Sequence, residues 1–213
     1  MAGAFIVFEG IDGSGKSTTI GEICSHLEPH GFSCVALREP TEKTDASREI
    51  RRILRTAREV DAQMSSELLE LFLIDRLWDL KHQILPALLA GKIVLLDRYF
   101  FSTAAYQAMD NSQIHAILNA YLANNQIRLP DLVVFLDLPV NVALARMNSR
   151  AQLDVFETEA RLERIAANYR EVFRQLNAMP HKPEVDVRTS GLTAADFEAL
   201  SLRIRKLALA NPR

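Results

Sequence analysis

FEGIDGSGKSTT, residues 8–19, sets three of the chain's eight glycines within six positions and follows them with a lysine and three hydroxyls. Gly10, four further residues, then Gly15-Lys16-Ser17 satisfy the pattern GxxxxGK[ST]. Glycines let the backbone curl so that successive N–H groups converge on one anion, and a following helix N-terminus adds a favourable dipole. The context is the required one. AFIVFE (4–9) reads as a strand, and Ile20, Ile23 and Leu27 recur on one helical face behind the loop, with Gly31 placed to stop that helix. The run Gly10-Ile11-Asp12-Gly13-Ser14-Gly15-Lys16-Ser17-Thr18 is therefore expected to hold the phosphates of a nucleoside triphosphate with Mg²⁺. Lys16 reaches the β and γ phosphates, and the Ser17 hydroxyl is a metal ligand.

Working outward, the same strand signature recurs in SCVALR (33–38), KIVLLD (92–97), DLVVFLD (131–137) and, more weakly, EVDV (184–187). Continuous rather than alternating apolar runs fit strands covered on both faces. Between them lie helical patterns. Residues 66–90 repeat apolar side chains at helical spacing, with Pro86 expected to kink the helix and Gly91 to end it. Pro139 suits the first turn of a helix running to about Arg150, and Thr193 to Asp196 has capping-box spacing before a last helix. The sequence thus predicts an α/β fold, a five-stranded parallel sheet flanked by helices, as a single domain over 1–213. Ligands of such sheets bind beyond the carboxyl ends of the strands.

Composition narrows the class. The 213 residues are 48% apolar and 24% charged with a net charge of −2, which suits a soluble globular protein and argues against a dedicated nucleic-acid binder. The two cysteines, Cys24 and Cys34, have no CxxC or histidine partners, so they read as small core residues in a reducing compartment. No apolar stretch approaches the ~20 residues of a membrane span. The expectation is a cytoplasmic protein without membrane partners.

A second cationic, aromatic site follows the third strand. LLDRYFFSTAAYQ (95–107) carries Asp97, Arg98, Ser102, Thr103, Tyr106 and Gln107. An aspartate at a strand tip beside the loop can hold Mg²⁺ through water, while the next arginine forks onto a phosphate. Asp137 is the rival for the metal role. Asp97 is preferred because Arg98 makes its surroundings a phosphate site; a structural Asp-Arg pair is the plain alternative. In REP (38–40), Arg38 can meet a phosphate and Pro40 fixes a turn. Phe72 and Arg76, four apart, share a helix face, where a ring beside a guanidinium can stack on and bond a base; by spacing alone a Phe in that apolar stripe is more often core. No NKxD or LSGGQ-like run points to a GTPase or a transporter.

EGIDGSGKST, REP, the FxxxR helix and DRYxxSTAAYQ, in this order and spacing, resemble thymidylate kinases from Phe5 to about Tyr169. The resemblance implies the P-loop nucleoside-triphosphate-hydrolase fold of nucleoside monophosphate kinases, and transfer of the ATP γ-phosphoryl group to dTMP. It implies that Phe72 stacks on thymine, Arg76 bonds its carbonyl edge, Thr103 and Gln107 read the base, and Tyr106 favours deoxyribose. Arg38 and Arg98 would clamp the acceptor phosphate, with Asp12 and Glu9 near the sugar 3′-hydroxyl. A lid at about 146–160 would bring Arg146 to adenine, Arg150 to the transferring group and Glu157 to the substrate. The family usually forms homodimers. Three departures stand out: Val155 where an arginine is common, TEKT (41–44) after REP instead of a glycine pair, and a short segment from Glu157 to Tyr169. They leave open a kinase of another nucleotide or nucleoside, or an ATP-binding regulatory protein. Arg161 and Arg164 read as a solvated helix face.

Overall fold

A computed structural model describes residues 3–57, 61–147 and 158–210. Its strands are β1 (Phe5–Glu9), β2 (Cys34–Arg38), β3 (Ile93–Asp97), β4 (Leu132–Leu136) and β5 (Glu184–Arg188). They form one sheet in the order β2-β3-β1-β4-β5, with every neighbouring pair parallel. The five expected strands are all present, within a residue or so of their expected bounds.

Alternation along the central strands divides the core. Phe5 and Val7 of β1, Val94 and Leu96 of β3, and Val133 and Phe135 of β4 face one side. There they meet α5 (Phe100–Gln107), α6 (Asn111–Ala123) and α8 (Glu159–Ala178). Ile6, Phe8, Leu95 and Val134 face the other side, against α1 (Lys16–Leu27) and α9 (Ala194–Ala210). Burial on both faces explains why these strands are continuously apolar in sequence. Cys24 and Cys34 are unpaired and only half-buried, so they edge this second layer instead of filling it.

The long apolar helix departs from expectation in detail. It begins at Ala62 as α3 (Ala62–Asp79), widens into a π-helical turn over Leu80–Ile84, and resumes as α4 (Leu85–Leu89). Proline lacks an N–H, and its ring crowds the carbonyl four residues back. Pro86 sits in the first turn of α4, so the irregularity falls in the turn before it and the proline starts a helical segment. Gly91, at φ 75°, then ends the helix with its N–H on the Leu88 carbonyl. α2 (Asp45–Thr56) is capped by Thr44, and α7 (Val140–Met147) follows Pro139.

Chain order reverses between β3 and β1, so their carboxyl ends open a crevice. Glu9 and Gly10 leave β1 there, and Asp97 and Arg98 leave β3. The glycine loop is pressed against its neighbours. Gly13 has φ 77°, and a Cβ added to it would lie 2.5 Å from the Ala143 carbonyl oxygen of α7. Gly13→Ala should therefore lower stability by about 1–3 kcal/mol in urea unfolding, from strain and contact together. An unchanged midpoint would show that α7 does not confine the loop.

Candidate active site

α1 starts directly from the loop, with Gly15 in the left-handed region at φ 98° and no acidic residue in the first helical turn. The free N–H groups of that turn can take an anion. The loop is closed by its own lysine: the Lys16 ammonium donates to the Gly10 and Ile11 carbonyls at 3.0 and 3.1 Å. An ammonium has three donors, so one remains. Burial, then the charge of Arg98, pushes Lys16 from its ordinary 10.5 down to about 8. Asp97 stands 3.9 Å away and accepts the Ser17 hydroxyl at 3.2 Å through Oδ2; its buried Oδ1 has no hydrogen-bond partner among the described residues. Asp137 is instead held by Arg170 at 2.9 Å.

A cavity of about 580 Å³ lies over the loop, walled by Asp12 to Thr18, Arg38 and Asp97. Its far end is made by Arg146 of α7, by Ser190, Gly191 and Leu192 between β5 and α9, and by Phe197 in the first turn of α9. The Arg146 guanidinium reaches back to the Ser14 carbonyl at 3.3 Å. Sequence reasoning found Arg146 but missed the β5–α9 loop, which carries no phosphate motif and reaches the site only through sheet order.

A second cavity, of about 560 Å³, opens on the other side of the loop. Arg38 and Pro40 from the end of β2 line it, with Phe72 and Arg76 of α3 opposite and Ser102, Thr103, Tyr106 and Gln107 of α5 along the floor. Phe72 packs partly on the Ile50, Ile53 and Leu68 cluster, as its spacing suggests, and also lines the cavity. Arg38 is exposed at a strand tip, and no described side chain bonds its guanidinium. Asp12 and Arg38 line both cavities, so the two spaces meet at these residues.

The junction is an ion-paired hub. Arg98, at φ 73°, pairs with Asp12 at 2.7 Å and donates to the Gly10 carbonyl, Ser102, Tyr106 and Tyr169 at 3.0–3.2 Å. A left-handed conformation at a non-glycine residue is strain that the surrounding bonds must hold. Burial raises the Asp12 carboxyl, but Arg98, Lys16 and the Tyr106 hydroxyl override it and hold it well below the usual carboxylate range.

Glu9 sits behind the acceptor cavity and lines neither space. Its carboxylate accepts the Tyr99 and Ser102 N–H groups at 2.8 and 3.2 Å, capping α5, and the Ser102 and Tyr169 hydroxyls at 2.6 and 2.9 Å. Burial pushes its pKa up. These bonds suit an anchor for α5.

The TEKT segment, which lacks the glycine pair, is fixed by Asp75 of α3, which accepts the Thr41 N–H and the Thr41 and Thr44 hydroxyls, each at 2.6 Å. Tyr169, Glu39 and Asp75 were not anticipated. Tyr169 shares the apolar face of α8, where spacing reads as core. Arg150, Val155 and Glu157 lie outside the described residues, as does most of the lid. Arg164 is exposed on α8 and Arg161 half-exposed.

The family model for thymidylate kinase matches residues 8–183. The chain belongs to the thymidylate kinase family. It is 43% identical over 169 residues to a thymidylate kinase of Leptospira interrogans serovar copenhageni, covering 79% of this chain and 80% of that one. A thymidylate kinase of Akkermansia muciniphila is 40% identical over 208 residues, 96% and 90% of the two chains. A probable thymidylate kinase of Pyrococcus horikoshii is 38% identical over 172 residues, 79% and 82%. Membership makes the chain a nucleotide kinase, a phosphotransferase, and does not favour the regulatory or other-kinase readings.

Lys16 supplies a test of the thymidylate-kinase site without turnover. A bound triphosphate stabilises the ammonium form and raises a pKa that starts near 8. Binding of ATP at pH 8.5 should therefore take up protons, visible as a dependence of calorimetric heat on buffer ionisation enthalpy. Lys16→Arg, charged throughout, should abolish the uptake. Equal uptake in both proteins would place the perturbed group elsewhere.

Proposed function

We propose that the chain transfers the γ-phosphoryl group of ATP to dTMP, giving dTDP and ADP. The observation that carries this reading is the meeting of two cavities at Asp12 and Arg38, one built on a phosphate loop and the other lined by Phe72 and Arg76. A nucleoside monophosphate has a second pKa near 6, so its oxygen is already an anionic nucleophile at neutral pH. No strong base is needed; the task is to align two polyanions and neutralise charge during an in-line transfer.

Each residue has a part in that task. The loop N–H groups and Lys16 hold the triphosphate, and Arg146 with the β5–α9 loop receives the nucleoside. Arg38 and Arg98 hold the acceptor phosphate, and Arg98 is kept in place by Asp12 and Tyr106. Phe72 and Pro40 wall the thymine, while Arg76, Thr103 and Gln107 face its polar edge. Tyr106 sits where the sugar passes, and Glu9 anchors Ser102 beneath it. The donor set suits Mg²⁺, since the Ser17 hydroxyl and the Asp97 carboxylate are adjacent hard oxygen ligands, and Asp97 Oδ1 accepts no hydrogen bond among the described residues. When bound, the ion neutralises charge on the transferring phosphate.

The whole chain, 1–213, acts as one domain in the cytoplasm, with the lid at about 146–160 bringing Arg150 to the transferring group and Glu157 to the substrate. In support, no described helix is long and apolar enough to cross a membrane. We assign it as a homodimer, for which exposed Ile74 on α3 supplies apolar surface.

Phe72→Ala tests the acceptor site. Base–aromatic stacking is worth about 1–3 kcal/mol by alanine substitution, so the KM for dTMP should rise roughly tenfold or more. The KM for ATP should stay within about twofold. Equal effects on both substrates would remove Phe72 from the base site. Lys16→Ala should abolish transfer while leaving the protein folded, and retained turnover would contradict the phosphate-loop assignment.

A further inference from the structure

Glu39 lies between two residues already placed in the acceptor site, Arg38 and Pro40, yet does a different job. It is buried, and its Oε2 accepts both Nε–H and Nη2–H of Arg76, at 2.9 and 2.5 Å. Nη2 also donates to Thr103 at 3.2 Å. A guanidinium has five N–H donors in a rigid fork. Three are thus committed, and both donors of Nη1 are buried with no partner among the described residues, on a side chain that forms cavity wall. Buried donors at a cavity wall call for an acceptor brought by a ligand.

The fork is held from every side. Its face lies 5.0 Å from the ring centroids of both Tyr99 and Tyr121. Glu39 is itself rigid, because its N–H donates to the Asp97 carbonyl at 3.1 Å and extends the β2–β3 ladder by one residue. The adjacent Asp75 fixes Thr41 from the same helix, so loop and helix are locked at consecutive positions.

We propose that Glu39 is a positioning residue for acceptor specificity, holding the Arg76 fork so that its Nη1 donors meet a carbonyl oxygen of the pyrimidine and reject an amino group there. The proposal rests on the dTMP reading above and adds a residue to it. A fixed pair of donors discriminates because an amino group would leave them unpaired in a buried site. Glu39 lines the same cavity, and its part in this discrimination runs through the Arg76 fork that its Oε2 holds.

The test is Glu39→Asp, which keeps the charge but withdraws the carboxylate by one methylene, assayed with ATP and Mg²⁺ against dTMP and dCMP. A misplaced hydrogen bond to a charged group should raise the KM for dTMP on the order of tenfold. The preference for dTMP over dCMP should shrink, while kcat and the KM for ATP stay within about twofold. Arg76→Ala should show the same loss of preference, and adding Glu39→Asp to it should cost nothing more. If Arg76→Ala does not fold, the kinetic split in Glu39→Asp decides alone. An unchanged dTMP preference, a parallel fall in all parameters, or a full Glu39→Asp penalty in the Arg76→Ala background would each overturn the proposal. A wild-type protein inert toward dTMP would remove the acceptor reading and this proposal together. An active wild type with an unaffected Glu39→Asp would remove this proposal alone.

Discussion

The contact between Arg98 and Asp12, 2.7 Å long, joins the two halves of the site. Asp12 belongs to the glycine loop under one cavity, and Arg98 follows β3 and lines the other. The same guanidinium bonds Ser102 and Tyr106 of α5 and Tyr169 of α8, so two helices beyond the loop converge on one cation. A charge so deeply placed is tolerable only because it is paired and both of its Nη groups are hydrogen-bonded. Its positive φ is held by that same set of bonds. Removing any member would leave a buried cation under-satisfied at the point where the two substrates are to meet.

Around this hub the polar groups divide their work by burial. Lys16 and Asp97 line the triphosphate cavity, each with hydrogen-bonding capacity left over. Glu9, with four bonds inside the protein, has been turned into scaffolding, and Asp75 likewise fixes the acceptor loop. The Arg76–Glu39 pair lies between these roles, saturated on one edge and open on the other. Burial pushes the Glu39 carboxyl up, and the charge of Arg76 pulls it back down. Such a pair contributes geometry more than stability, since desolvation offsets much of the attraction.

The sequence carried what depends on local pattern. Apolar strands buried on both faces announce themselves, and Gly10, Gly13 and Gly15 mark a backbone path that side chains would block. The phosphate loop and the LLDRYFFSTAAYQ run therefore led directly to two cavities. What stayed hidden was made by long-range pairing. Tyr169 meets Glu9 across 160 positions, and its place on an apolar helical stripe gives no hint of a hydroxyl partner. Glu39 and Asp75 look like surface carboxylates until the fold buries them against α3 and its loop. The π-helical turn was equally opaque, because the pattern showed the proline but not which side of it would yield.

The central claim is that phosphoryl passes from a nucleotide over Lys16 to a nucleotide over Phe72 through the space shared at Asp12 and Arg38. Phosphorus NMR of the protein with ATP, Mg²⁺ and dTMP, with thymidine in a parallel sample, tests it most directly. The account predicts that dTDP and ADP appear in equal amounts with little inorganic phosphate, and that the thymidine sample stays unchanged. Inorganic phosphate as the main product, or phosphorylation of thymidine but not of dTMP, would contradict it.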